Sequence, residues 1–131
     1  GQDFICRYLR LAAGTPLLRL ERLISIEDHP FVLVYSYFEE SRFPGLAQAD
    51  PRRFEQEALT LIIENDYATP TMAAHELGSA VRATPEVAAA LQLPESAPVL
   101  FLEMLSFSYD ESPYEYRQSF CVSGRKLFRS Y

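Results

Sequence analysis

Apolar and polar residues alternate from Leu18 to Glu27. Leu18, Leu20, Arg22, Ile24 and Ile26 share one face, and Arg19, Glu21, Ser25 and Glu27 take the other. That period of two predicts a strand with one buried face. Glu27-Asp28-His29-Pro30 reads as a polar turn, and Phe31–Phe38 as its antiparallel partner. A helix is expected before this hairpin, starting at Asp3 and running through Ile5, Tyr8 and Leu9. The same order recurs later. Thr84-Pro85-Glu86 combines a hydroxyl cap, a proline at the first helical position and an acid near the positive dipole end. That helix must stop near Leu93, because Pro94 follows. An alternating strand, the turn Asp110-Glu111-Ser112-Pro113 and the partner Tyr114–Val122 complete the second unit.

Aligning residues 5–28 with 87–110 gives eight identities in 24 pairs, among them Pro16/Pro98, Glu21/Glu103 and Asp28/Asp110. The chain therefore reads as two repeated helix–strand–strand halves around an insert. In the insert, Phe43-Pro44-Gly45 is a turn and Asp50-Pro51 caps a helix. Phe54, Ala58, Leu61 and Ile62 form that helix's apolar stripe, and it frays by Asn65-Asp66. Thr69 to Arg82 is a weaker strand. The sum is an α+β fold: an antiparallel sheet of about five to six strands with about three helices packed on it.

The length of 131 residues sets a single domain, residues 1–131, large enough to bury a core. Eighteen acidic against twelve basic side chains leave a net charge of -6, which disfavours both phosphate backbones and anionic membranes. Cys6 and Cys121 form no paired motif, so a disulfide framework is excluded and a reducing, cytoplasmic setting is expected. No signal peptide or membrane-length apolar run is present, and Gly1 in place of methionine reads as the start of a piece of a longer protein.

Motifs for nucleotide binding, serine hydrolysis and zinc proteolysis are missing, so no catalytic residue, metal site or cofactor is expected. His29 falls in a turn and His75 in a strand, each without a ligand partner at helical spacing. Arg22 breaks its apolar stripe, whereas the matching position of the second half is Met104. A buried guanidinium needs an anion. An internal pair with Glu115 or an arginine at the sheet rim would supply a structural answer; an anion-binding pocket would supply a functional one. Glu115, Arg117, Ser119 and Cys121 make one face of the last strand polar, where the first half has Val32, Val34, Ser36 and Phe38. That strip reads either as a solvated face or as the wall of a small-molecule pocket. Arg125, Lys126 and Arg129 read as a basic surface end.

Several ordered pieces resemble the UTRA domain, the effector-binding half of the HutC subgroup of GntR transcription factors. They are Leu11-Ala-Ala-Gly-Thr-Pro-Leu-Leu-Arg-Leu-Glu-Arg-Leu23, Ser36-Tyr37-Phe38, Arg42-Phe-Pro-Gly-Leu46, Leu91-Gln-Leu-Pro94 with Pro98-Val99-Leu100, and Pro113-Tyr-Glu-Tyr116 leading to Arg125 and Phe128. The resemblance implies a chorismate-lyase-like fold, a homodimer, and a DNA-binding winged helix upstream of this chain. It also implies a ligand site with Arg22 and Glu115 and a contribution from the strand after Glu115; with Ser36, Ser119 and Cys121 these are the expected ligand-binding residues. Ile24, Val34, Ala58 and Cys121 stand where sugar-phosphate sensors carry an arginine, a glutamate, a serine and a tyrosine, so an effector with one acidic group is expected instead. The expected function is a regulator's effector sensor that reaches DNA only through the upstream domain. The alternatives are a lyase acting on an aromatic acid precursor and a pure dimerisation module.

Overall fold

The computed structural model describes residues 2–122. Each half has the expected plan: α1 (Asp3–Tyr8), β1 (Leu17–Ile26) and β2 (His29–Glu39), then α4 (Pro85–Leu91), β4 (Pro98–Phe107) and β5 (Pro113–Val122). Between them lie α2 (Pro51–Gln56), α3 (Leu59–Tyr67) and β3 (Ala73–Arg82). The five strands order as β1-β2-β5-β4-β3, every neighbouring pair antiparallel. The two hairpins thus meet through β2 and β5, and β3 extends the second hairpin.

One face of the sheet presents Leu33, Tyr35, Tyr37, Val99 and Tyr116 to Ile5 and Leu9 of the first half and Val87, Ala88 and Leu91 of α4. Each helix crosses to the other half: α4 packs on β2 and α1 on β5. Tyr8 of α1 stacks on Tyr116 with ring centroids 5.3 Å apart. The Thr84 cap is made as the sequence dictates, its Oγ1 accepting the Val87 amide at 3.3 Å.

The opposite face is covered only in part. Leu18, Phe38 and Tyr114 pack there under Phe43, Leu46, Leu59 and Ile63 of the insert. Tyr114 joins them because the β4–β5 register slips between Ser106 and Phe107, and a bulge turns its side chain. Two expectations are corrected here. The middle helix is two helices, since Glu57 and Ala58 adopt extended backbone between α2 and α3. Its buried residues are Leu59, Ile62 and Ile63, while Leu61 is exposed. The apolar stripe of β1 is also buried at one end only. Leu18 is buried under the insert, but Ile24 and Ile26 are exposed.

Candidate functional site

Three strands bring the polar residues of the partly covered face into one cluster. Leu20 of β1, Ser36 of β2 and Arg117 of β5 lie side by side in the sheet, with Arg22 one step along β1 beside Val34. Ser36 is wholly buried. The Arg22 Nη2 donates to Ser36 Oγ at 3.4 Å, while its Nε is buried with no hydrogen-bond partner among the described residues. Glu115, also wholly buried, is taken by its own strand neighbour: Arg117 Nε and Nη2 donate to its two carboxylate oxygens at 2.7 and 3.0 Å. Residues two apart on a strand share a face, and the flat guanidinium fork matches a carboxylate.

Of the two structural answers for Arg22, the internal pair with Glu115 is therefore not formed. The group contains two guanidiniums and one carboxylate, an excess of one positive charge. Burial and then the Arg117 charge hold the Arg22 pKa below its ordinary value, against the opposing pull of Glu115. A small anion beside Arg22 would relieve both effects.

Room for one exists. A cavity of about 590 Å³ runs along β1, lined by Glu21, Arg22, Leu23, Ile24 and Ser25, and is closed on the far side by Pro51, Phe54 and Glu55 of α2. Asp50 caps that wall by accepting the Arg52 amide at 3.0 Å. Phe54 offers an apolar surface, and Glu21 and Glu55 place negative charge at the rim. A second cleft, of about 530 Å³, opens on the other face among Arg10, Met72, His75, Phe107 and Tyr109. It is mainly apolar, and Arg10 there already donates to the Glu111 carbonyl at 3.1 Å. The cleft along β1 meets a half-buried guanidinium whose Nε has no hydrogen-bond partner among the described residues.

Of the expected ligand residues, Arg22 and Ser36 are in contact and Glu115 is reached through Arg117. Ser119 and Cys121 share the face but lie a strand further away, beside Val34 and Val32, and neither lines the β1 cavity. Burial and the nearby Glu76 push the Cys121 thiol up, away from thiolate chemistry. Ala58 stands at the N-cap of α3 and supplies no side-chain cap. His29 and His75 are exposed. Among the described residues no group of three or more His, Cys, Asp or Glu is placed to hold a metal ion. No helix among them is long and apolar enough to cross a membrane. Arg125, Lys126, Phe128 and Arg129 lie outside the described residues. The sequence places Arg117 on the polar strip that could wall a pocket but not among the expected ligand residues, although its spacing from Glu115 is a usable signal. Phe54, Glu55 and Glu21 emerge as lining only from the packing of α2 beside β1.

Residues 2–125 match the family model of the UTRA domain. Among solved structures, the chain is similar to the ligand-binding domain of a protein from Bordetella bronchiseptica assigned to the GntR family of transcriptional regulators. That match has 25% identity and a TM-score of 0.84, covering 98% of this chain and 81% of that one. A protein from Escherichia coli CFT073 described as a regulator is 30% identical with a TM-score of 0.82, over 95% of this chain and 88% of that one. The effector domain of PhnF from Mycobacterium smegmatis shares the fold, with a TM-score of 0.85 at 20% identity over 98% of this chain and 77% of that one. No curated protein matches the sequence.

Proposed function

The chain belongs to the UTRA-domain family, and on that premise we propose that it senses a small effector with one acid group, bound at Arg22. It is an effector-binding domain of a GntR-type transcriptional regulator. Within that family the motif from Leu11 to Leu23 supports the HutC subgroup. The effector's acid group meets Arg22 and the excess positive charge beside it, its body lies against Phe54 and Ile24, and Glu21 and Glu55 repel a second acid. A donor group at the far end suits those two carboxylates.

The observation that carries this reading is the half-buried Arg22, which lines a cavity and whose Nε has no hydrogen-bond partner among the described residues. Binding is favoured over catalysis because the buried carboxylate of the cluster is held two-pronged by Arg117 and offers no free acid or base. The domain acts in the cytoplasm as a homodimer, reaching DNA through an upstream winged helix. If the effector prefers one arrangement of the dimer, DNA affinity changes by the same factor as effector affinity.

A thermal-shift screen of small monoacids tests the site. A ligand at a hundredfold its dissociation constant stabilises by about 2.7 kcal/mol, a rise of several degrees. Arg22→Met, which imports the residue of the second half, abolishes the shift. Without ligand it melts at the same temperature or higher, since an under-partnered guanidinium has been replaced by an apolar chain. A shift that survives in Arg22→Met removes the anchor role.

A further inference from the structure

Among the described residues strand β3 ends the sheet on one side, and along Ala73–Arg82 only Val81 is even half-buried. It pairs with β4 without a register break, and it contains no proline or lysine. Leu77 at its centre is 74% exposed. An edge of ten residues with an unbroken register, no proline or lysine and only two fully charged side chains has few of the usual protections against pairing with another chain. The opposite edge has them. The register of β1 breaks between Ile24 and Ser25, its Arg19 is engaged by Glu86 at 3.6 Å, and α2 lies beside it.

Apart from His75, the charged side chains of β3 are Glu76 and Arg82, and they share a face. Among the described residues neither forms an ion pair. Outward-facing backbone groups alternate along an edge, so a two-fold antiparallel pair joins residues of equal parity. Glu76 and Arg82 meet that condition, and Ser79 lies midway between them.

We propose that β3 pairs antiparallel with β3 of a second copy about a two-fold axis at Ser79, joining two five-stranded sheets into one. Glu76 then lies opposite Arg82 of the second copy, twice by symmetry, and Leu77 is covered by Val81 of the second copy. Gly78 faces Ala80, so nothing bulky crowds the axis. The proposal rests on the homodimer reading above and adds the surface and the register.

Sedimentation equilibrium of the 131-residue chain tests it. Glu76→Arg or Arg82→Glu alone places like charges opposite one another twice and weakens self-association about tenfold or more. The double variant exchanges the charges, restores both pairs and returns the affinity to within about threefold of the original. Mild oxidation crosslinks Ser79→Cys to itself, because facing Cα atoms about 4.5–5.5 Å apart lie within disulfide reach. Leu77→Cys, which faces Val81, does not crosslink above the level of the unsubstituted chain. Circular dichroism verifies that each variant folds. A dimer indifferent to both single substitutions overturns the β3 assignment and leaves the homodimer reading standing. A chain that is monomeric at every concentration overturns both.

Discussion

In the first half of the molecule β1 carries an arginine where the second half has Met104, and in the second half β5 carries Glu115 where the first has Val32. The plan of the halves is otherwise alike: a short helix, a strand of ten residues, and an antiparallel partner of eleven or ten. Arg117 of β5 is a third departure, standing where the first half has Val34. Because β2 and β5 lie next to each other, all three fall on the same face, with Ser36 beside Arg117. The repeated plan thus makes the sheet, and the places where the copies differ make the charged cluster. Neither half could hold that cluster alone, since Arg22 comes from one, Glu115 and Arg117 from the other.

Removing the charge that balances the cluster gives the largest expected effect. Glu115→Gln leaves the half-buried Arg117 and Arg22 without a carboxylate, and breaking a pair whose acid is buried costs about 2–3 kcal/mol. Urea unfolding should show that loss as a lower midpoint at unchanged slope. Replacing the matching Val32 by the isosteric Thr serves as the contrast, with a cost of about 1 kcal/mol from one hydroxyl. Equal costs at the two positions would mean that Glu115 is merely filler.

The sheet was legible because its signals are local. Alternation from Leu18 to Ile26, the turn at Glu27 and Asp28, and the Thr84-Pro85 start depend on near neighbours and appear where the sequence puts them. The insert was less so. A single stripe through Phe54, Ala58 and Leu61 fits one helix, but the break at Glu57 and Ala58 lets Leu59 and Ile63 reach Phe38 and Phe43. Tertiary packing decided that, not propensity. Within the site, alternation flagged Arg22 and the strip from Glu115 to Cys121. It gave no way to choose which arginine Glu115 would take, because both stand on its face; the shorter path along β5 won. The cleft itself depends on where α2 lies, a long-range fact without a local signature.

The halves are also tied to each other, and alkaline pH probes one tie. Tyr35 of β2 donates its hydroxyl to Glu86 of α4 at 2.9 Å, with the Arg19 guanidinium 4.1 Å from its ring centre. Burial, and then the bond to Glu86, push the Tyr35 pKa from 10.0 up to about 12. The folded chain thus holds this proton more tightly than the unfolded one. The stabilisation is complete below pH 10 and is lost as pH rises to about 12. The melting temperature should fall across that window, and Tyr35→Phe should start lower and fall less steeply. Tyr116, raised by burial and by its bond to Glu103, ties α1's side of the sheet in the same sense. An unchanged slope in Tyr35→Phe would show that the two halves are joined by apolar packing alone.

The smallest expected difference concerns the helices that open each half. The Thr84 hydroxyl satisfies an otherwise unpaired amide at the start of α4, whereas Gln2 makes no side-chain cap for α1. Thr84→Ala should therefore cost about 1 kcal/mol, and Gln2→Ala should change stability by less than about 0.5 kcal/mol. Urea midpoints compared at equal slope measure both. Equal losses would make the α1 terminus as dependent on its side chain as the α4 terminus, and the asymmetry between the halves would then be confined to their strands. A loss at Thr84 alone places it in the helices as well: α4 is held by its own cap, while α1 relies on Ile5 and Leu9 in the core and on Tyr8 stacked over Tyr116.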